Sequence, residues 1–143
     1  MEHSVQTHGA TSDDDYLQDL WARMLVNFAN GSSHVSLQRV YIAILEQITP
    51  LEAVILHKIY SLPYDETHHD GVEVGKLPDE VAVGKDDGKG KSLAEPPEAV
   101  RLGLANLARL GCIGIRKSWG GGEIFKTVNP TLLGKSFVEA CTL

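Results

Sequence analysis

The sequence predicts a mainly α domain of the α+β class, whose C-terminal half has a winged-helix-like order of helix, two-stranded hairpin and helix. Apolar residues recur at helical spacing through most of the chain. Two short segments near the C-terminal end alternate apolar and polar residues, and a Gly-rich turn separates them. A chain of 143 residues is the usual size for one hydrophobic core.

Three helices are predicted in the first 61 residues. We expect residues 1–11 to be a disordered tail and the first helix to begin at Ser12, which precedes three acids that suit a helix start. A second helix is expected from Ser36. Thr49-Pro50-Leu51-Glu52 predicts a capped start for a third helix that runs to about Ser61, because Thr caps, Pro suits the first position and Glu reaches back to the cap. The first helix carries one broad apolar stripe, more typical of a core face than of a dimer seam: Tyr16, Leu17, Leu20, Trp21, Met24, Leu25 and Phe28.

Residues 63–95 have a different composition, rich in Gly and acids and interrupted by Pro. Long connections of this kind are uncommon inside compact domains, so we predict an acidic, partly mobile insertion. Within it, residues 72–74 and 80–83 have the composition of two short strands that pair as a hairpin.

Regular structure is predicted again from residue 96. Residues 96–111 predict a helix closed by a glycine, residues 112–117 and 123–128 predict the strands of a hairpin, and Asn129-Pro130 predicts the start of a last helix. A lone hairpin is marginal in water, so its apolar residues should be buried against helices. These residues are Ile113, Ile115, Ile124 and Val128. The whole of 12–143 is expected to be one domain.

Four blocks, residues 15–27, 44–53, 106–111 and 131–141, together resemble the Abi-alpha (abortive infection alpha) family of bacterial proteins. They occur in the family's order. The resemblance implies a cytoplasmic protein of bacterial or prophage origin with a link to phage defence. It implies no known catalytic residue.

Charge is distributed unevenly along the chain. The net charge is −6 overall, with −4 in residues 1–60, −6 in residues 61–100 and +4 in residues 101–143. An acidic protein is repelled by phosphate backbones, so DNA binding is disfavoured. No apolar run approaches the ~20 residues of a membrane helix, so no membrane partner is expected. Two isolated cysteines, Cys112 and Cys141, are expected to be buried free thiols in a reduced cytoplasm.

A group of histidines and aspartates could suggest a metal site, but its spacing does not. The residues are His57, Asp65, His68, His69 and Asp70. Zinc ligands need fixed spacing, such as two His one helical turn apart. We expect His68, His69 and Asp70 to be exposed loop residues, with no bound metal at this group.

Residues 84–92 resemble a phosphate-binding loop, but the first glycine of that motif falls on Lys85 and no helix follows. No motif of a hydrolase is present either, although a triad assembled in space is a third, weaker possibility. We therefore expect no enzyme activity and no cofactor.

The candidate contact residues lie in the basic C-terminal third: Arg101, Arg109, Arg116, Lys117 and Trp119. They could be simply solvated, or contact a protein partner, or bind DNA as a recognition helix and wing would. The leading hypothesis is a non-enzymatic interaction module of phage defence that binds a protein partner or itself. The alternative is a winged-helix DNA-binding transcriptional regulator.

Overall fold

The computed structural model describes residues 8–29, 35–84 and 94–142. These ranges form six helices: α1 (His8–Ala29), α2 (Val35–Gln47), α3 (Pro50–Tyr60), α4 (Tyr64–Asp70), α5 (Glu98–Arg109) and α6 (Leu132–Ala140). The same ranges form four strands: β1 (Val72–Glu73), β2 (Ala82–Val83), β3 (Ile113–Lys117) and β4 (Glu123–Pro130). The predicted mainly helical α+β class is confirmed, including the helix, hairpin and helix of the C-terminal half.

The four strands form one antiparallel sheet in the order β2-β1-β4-β3. β4 lies inside the sheet, since Val128 pairs with Ile115 of β3 on one side and with Val72 of β1 on the other. Val72 also pairs with Val83 of β2. Both predicted hairpins are therefore confirmed, and they join into a single sheet, which the sequence did not predict.

One apolar core lies between the helices and the sheet. Helix α3 packs against α1, α5 and α6, while α5 packs on β3 and α4 packs on β4 and β2. Of the four hairpin residues expected to be buried, Ile113 and Val128 are buried and Ile115 and Ile124 are half-buried. The predicted burial of the free thiols Cys112 and Cys141 is confirmed.

The predicted cap of α3 is present in full. Thr49 Oγ1 accepts a hydrogen bond of 3.1 Å from Glu52 N, and Glu52 Oε1 accepts one of 3.2 Å from Thr49 N. Two backbone amides at the helix start, which have no partner within the helix, are satisfied in this way.

Two predicted helix starts are wrong. Helix α1 begins at His8 rather than Ser12, because Ser and Asp inside a helix cost only a few tenths of a kcal/mol per residue and do not force a boundary. Residues 1–7 of the expected tail lie outside the described residues. Helix α6 is capped by Thr131, whose hydroxyl accepts from Gly134 N, and not by Asn129-Pro130, which continue β4.

The first part of the predicted insertion is regular structure. It contains α4, β1 and β2, and four of its side chains are buried: Thr67, Val72, Val74 and Leu77. His68 and His69 are exposed as expected, but they lie on α4 and not in a loop. Residues 85–93, with most of the segment that resembles a phosphate loop, lie outside the described residues. Mobility of the segment stays a prediction.

The hydroxyl of Tyr60 joins the end of α3 to the hairpin and to α6. It donates to the carbonyl oxygen of Cys112 at 2.6 Å and accepts from Thr131 N at 2.9 Å. A Cβ added at Gly134 would lie 2.1 Å from both the Cys112 carbonyl oxygen and the Tyr60 hydroxyl. Residue 134 must therefore be Gly for α6 to reach this position.

Candidate partner-binding surface

The tip of the β3–β4 hairpin is a tight turn held by Ser118. Ser118 N donates to Gly122 O at 2.8 Å, Gly121 N donates to Ser118 O at 2.9 Å, and Gly122 N donates to Ser118 Oγ at 3.1 Å. The turn presents Trp119, which is fully exposed at 107 % of its reference area. Trp is the residue type most enriched among binding hot spots, so a solvated indole on an ordered turn is a candidate anchor.

Two predicted basic residues lie at the base of this turn. Lys117 is opposite Glu123 in the strand register, and both side chains are exposed. Arg116 is also exposed, and its Nε donates to Asn129 Oδ1 at 3.3 Å. Three of the five predicted residues therefore lie within one hairpin: Arg116, Lys117 and Trp119.

Arg109 belongs to a hydrogen-bond network on the surface of the helical half. Its Nε and one terminal nitrogen donate to Asn106 Oδ1 at 3.0 and 2.7 Å. The other terminal nitrogen donates to Gln47 Oε1 at 3.3 Å. Asn106 Nδ2 in turn donates to Gln47 O at 3.0 Å and to Glu52 Oε1 at 2.6 Å. Arg109 thus holds α5 against the junction of α2 and α3.

Arg101 braces α5 against the sheet. Its guanidinium lies 3.6 Å from Glu95 Oε1, and Glu95 Oε2 accepts a hydrogen bond of 3.0 Å from Phe125 N on β4. Arg101 Nε is buried and has no hydrogen-bond partner among the described residues. Both arginines of α5 therefore have partners within the chain, although Arg109 itself is exposed.

Helix α5 does not have the outer face of a DNA-reading helix. Its buried side is Val100, Gly103, Leu104 and Leu107. On the outer side Leu102 is 65 % exposed, and Arg109 is engaged as described above. The predicted basic set is divided between the hairpin tip and α5, where both arginines have partners within the chain, so the DNA-binding regulator gains no support from the geometry.

A row of rings covers the outer side of α4. Tyr64 and His68 stack with ring centroids 4.9 Å apart and planes 5° apart, and His68 lies 3.8 Å from the ring centroid of His69. Lys135 of α6 lies 5.6 Å from the Tyr64 centroid and pairs with Glu139 at 2.9 Å. The hydrogen bond and the charge of Glu139 raise the pKa of Lys135. Sequence analysis missed Tyr64, since only helical spacing over 64–70 could have indicated the stack. It also missed Lys135, which lies on a different helix.

Burial keeps the nucleophilic side chains of the core in their neutral forms. Desolvation raises the pKa of Cys112 and of Cys141 to about 12, and that of Tyr60 to about 12. A thiol is reactive as its thiolate, so these cysteines are poor nucleophiles near neutral pH.

Cavities open on the surface of the described residues. One of about 310 Å³ lies beside β1, β2 and β4, and one of about 110 Å³ lies between α1, α3 and α6. No group of three or more His, Cys, Asp or Glu side chains could hold a metal within residues 8–29, 35–84 and 94–142. In the same ranges, no helix combines the length and apolar character needed to cross a bilayer.

Comparison with protein-family models matches residues 3–141 to the family described as abortive infection alpha. The chain belongs to this family. The matched range includes the whole hairpin and all five predicted contact residues. No curated protein and no solved structure matches this abortive infection alpha chain.

Sequence analysis identified Trp119 but missed the contacts of Glu95 with Arg101 and of Asn106 with Arg109 and Glu52. The capping pattern indicated Glu52 as a local residue, whereas its contact with Asn106 arises only in the fold.

Proposed function

We propose that this member of the abortive infection alpha family is a non-enzymatic interaction module of bacterial phage defence, which acts in the cytoplasm by binding a protein. The observation that carries this proposal is the fully exposed indole of Trp119 on a hydrogen-bonded turn. Family membership suggests the abortive infection role. Burial raises the pKa of Cys112 and Cys141, so neither thiol is a candidate nucleophile.

A protein partner suits the hairpin tip better than DNA does. An exposed Trp side chain offers a large apolar area at low conformational-entropy cost, which is what protein interfaces use as an anchor. The surrounding charge is small, since residues 113–130 carry a net charge of +2 on a chain of net charge −6. Such a surface neutralises few phosphates, and DNA affinity depends mainly on that number.

Plating phage on cells that express the protein tests the proposal. We expect the wild type to reduce plaque formation and Trp119→Ala to lose most of that protection, because the change removes the anchor and no packed contact. Leu102→Ala is the matched control, since it also truncates an exposed apolar side chain, on α5. Full protection by Trp119→Ala at equal protein level would contradict the proposal.

Titration with random duplex DNA distinguishes the proposed interaction module from the alternative, a DNA-binding regulator. At about 50 mM salt, where electrostatic binding is exaggerated, we expect no binding at micromolar concentrations. Micromolar or tighter binding that the double variant Arg116→Glu, Lys117→Glu abolishes would reject the module and favour the regulator.

A further inference from the structure

We infer that the protein bound by the hairpin is a second copy of the same chain, and that Trp119 of each copy inserts into the 310 Å³ cavity of the other. This inference rests on the proposed function, because it takes the hairpin tip as the docking element. The cavity lies beside β1 and β2 and reaches Lys126 on β4. Hairpin and cavity thus belong to one sheet.

The cavity has a size that suits an indole ring. A cavity of about 150 Å³ holds benzene, and this one has about 310 Å³, enough for the larger indole. Its apolar lining comes from Val81, Ala82 and Ala94. A Cβ added at Gly75 would lie 2.3 Å from the Ala94 carbonyl oxygen, so one wall is formed by two backbone segments in close contact.

The polar lining of the cavity matches the polar features of Trp. Glu73 and Glu80 provide carboxylates that can accept the indole N–H, which is a donor only. Lys76 and Lys126 provide ammonium groups that can lie over the ring face in a cation–π contact. The four charges balance, so the cavity does not repel the basic hairpin.

The strand register indicates that each copy places its Trp119 in the cavity of the other copy. Lys126 lies in a bulge of β4, between the Arg116–Ile124 pair and the Ile115–Val128 pair, so Trp119 lies between three and four residue rises from it along the ribbon. At about 3.3 Å per residue this is roughly 12 Å, longer than a Trp side chain, so Trp119 does not reach its own cavity. When the hairpins of two copies lie side by side in opposite directions, the tip of each hairpin reaches the cavity of the other copy. The two copies are then related by a twofold axis, so the assembly is a dimer.

The charges of the two facing surfaces are complementary. Residues 61–84, which include the cavity strands, carry a net charge of −5, and residues 113–130 carry +2. In the antiparallel arrangement the basic hairpin of one copy lies over the acidic region of the other. Salt should therefore weaken the dimer.

Sedimentation of the purified chain from micromolar to near-millimolar concentration tests the inference. We expect a monomer–dimer equilibrium whose dissociation constant rises more than about tenfold in Trp119→Ala, the usual loss at a hot spot. Ala82→Tyr should have a similar effect, because it fills the cavity from an exposed strand position. Leu102→Ala should dimerise as the wild type does. Thermal unfolding confirms that each variant is folded.

Mixing the two variants that dimerise weakly is a more stringent test of the reciprocal contact. A pair formed from Trp119→Ala and Ala82→Tyr retains one intact Trp in one intact cavity. We therefore expect the mixture to associate more tightly than either variant alone and less tightly than the wild type. A mixture no tighter than its components would overturn the reciprocal exchange.

Trp fluorescence identifies the occupant of the tip. In Trp21→Phe, which leaves Trp119 as the remaining Trp, emission should shift to the blue as protein concentration rises. A shift with anionic vesicles or with duplex DNA, and none with protein concentration, would overturn the inference. A wild type that stays monomeric while Trp119→Ala loses phage protection would reject the second copy and leave the proposed function standing.

Discussion

The side-chain amide of Asn106 on α5 donates a hydrogen bond of 2.6 Å to Oε1 of Glu52 on α3. Glu52 is only 6 % exposed, and the same oxygen accepts from the backbone N–H of Thr49. One buried carboxylate therefore completes the cap of α3 and also fixes the position of α5. Helix capping and helix packing depend on the same side chain.

Asn106→Ala should destabilise the protein by about 1–3 kcal/mol, because a buried carboxylate oxygen loses a hydrogen bond. Urea denaturation monitored by circular dichroism measures the loss. Arg109→Ala is the comparison, since it removes only exposed hydrogen bonds and should cost less. An equal or smaller loss for Asn106→Ala would show that the Glu52 contact is not important for stability.

Leu107→Ala should cost about 2–5 kcal/mol, the usual range for a fully buried Leu. The control is Leu102→Ala on the same helix, where a 65 % exposed side chain should give a change within about 0.5 kcal/mol. Denaturation midpoints of the two variants measure the loss of stability in each. Similar values for both would mean that α5 does not pack on β3 and α3 as described.

Gly134→Ala should lower the unfolding free energy by about 1–3 kcal/mol or more, since the new Cβ would overlap the Tyr60 hydroxyl and the Cys112 carbonyl oxygen. Gly120→Ala provides the matched control, because its Cβ would meet nothing within 4 Å. Thermal unfolding of both variants is the measurement. If Gly134→Ala melts with the wild type, α6 does not approach the end of α3 this closely.

The unfolding free energy should fall as the pH rises from about 9 to about 12. Burial raises the pKa of Cys112 and Cys141 from 9.0 to about 12 and that of Tyr60 from 10.0 to about 12. Folding therefore favours the neutral forms of these groups. Their contribution to the unfolding free energy is complete below the pKa of the unfolded state and is lost as the pH rises through the pKa of the folded state. Urea denaturation across this pH range measures how steeply the unfolding free energy falls with pH.

The double variant Cys112→Ala, Cys141→Ala isolates the thiol contribution to that slope. Its stability should depend less on pH above 9, because Tyr60 alone of the three groups remains. An unchanged slope would assign the alkaline loss to other groups.

The features that the sequence predicted well are local. Thr49 and Glu52 are three residues apart, so their reciprocal hydrogen bonds need no tertiary contact. The hairpin around Ser118 likewise joins neighbouring strands. Alternating apolar residues and a Gly-rich turn are sufficient to indicate it.

The features that the sequence did not predict depend on distant pairing. Val72 joins Val128 although the residues are far apart in the chain, and no local pattern indicates which strand β1 will meet. The same holds at the candidate surface. Trp119 can be selected from its turn alone, whereas the contact of Arg109 with Gln47, 62 residues away, is set by packing.

The position of β4 within the sheet has a consequence for the order in which the chain can fold during synthesis. β1 and β2 pair over only two residues each, and a ribbon this short is marginal in water without its neighbour. The neighbour, β4, is translated last among the strands, so Val72 and Val74 stay accessible until residue 130 has left the ribosome. A nascent chain stalled before β3 should therefore be cut by protease within residues 71–84, and release of the full hairpin should protect these residues.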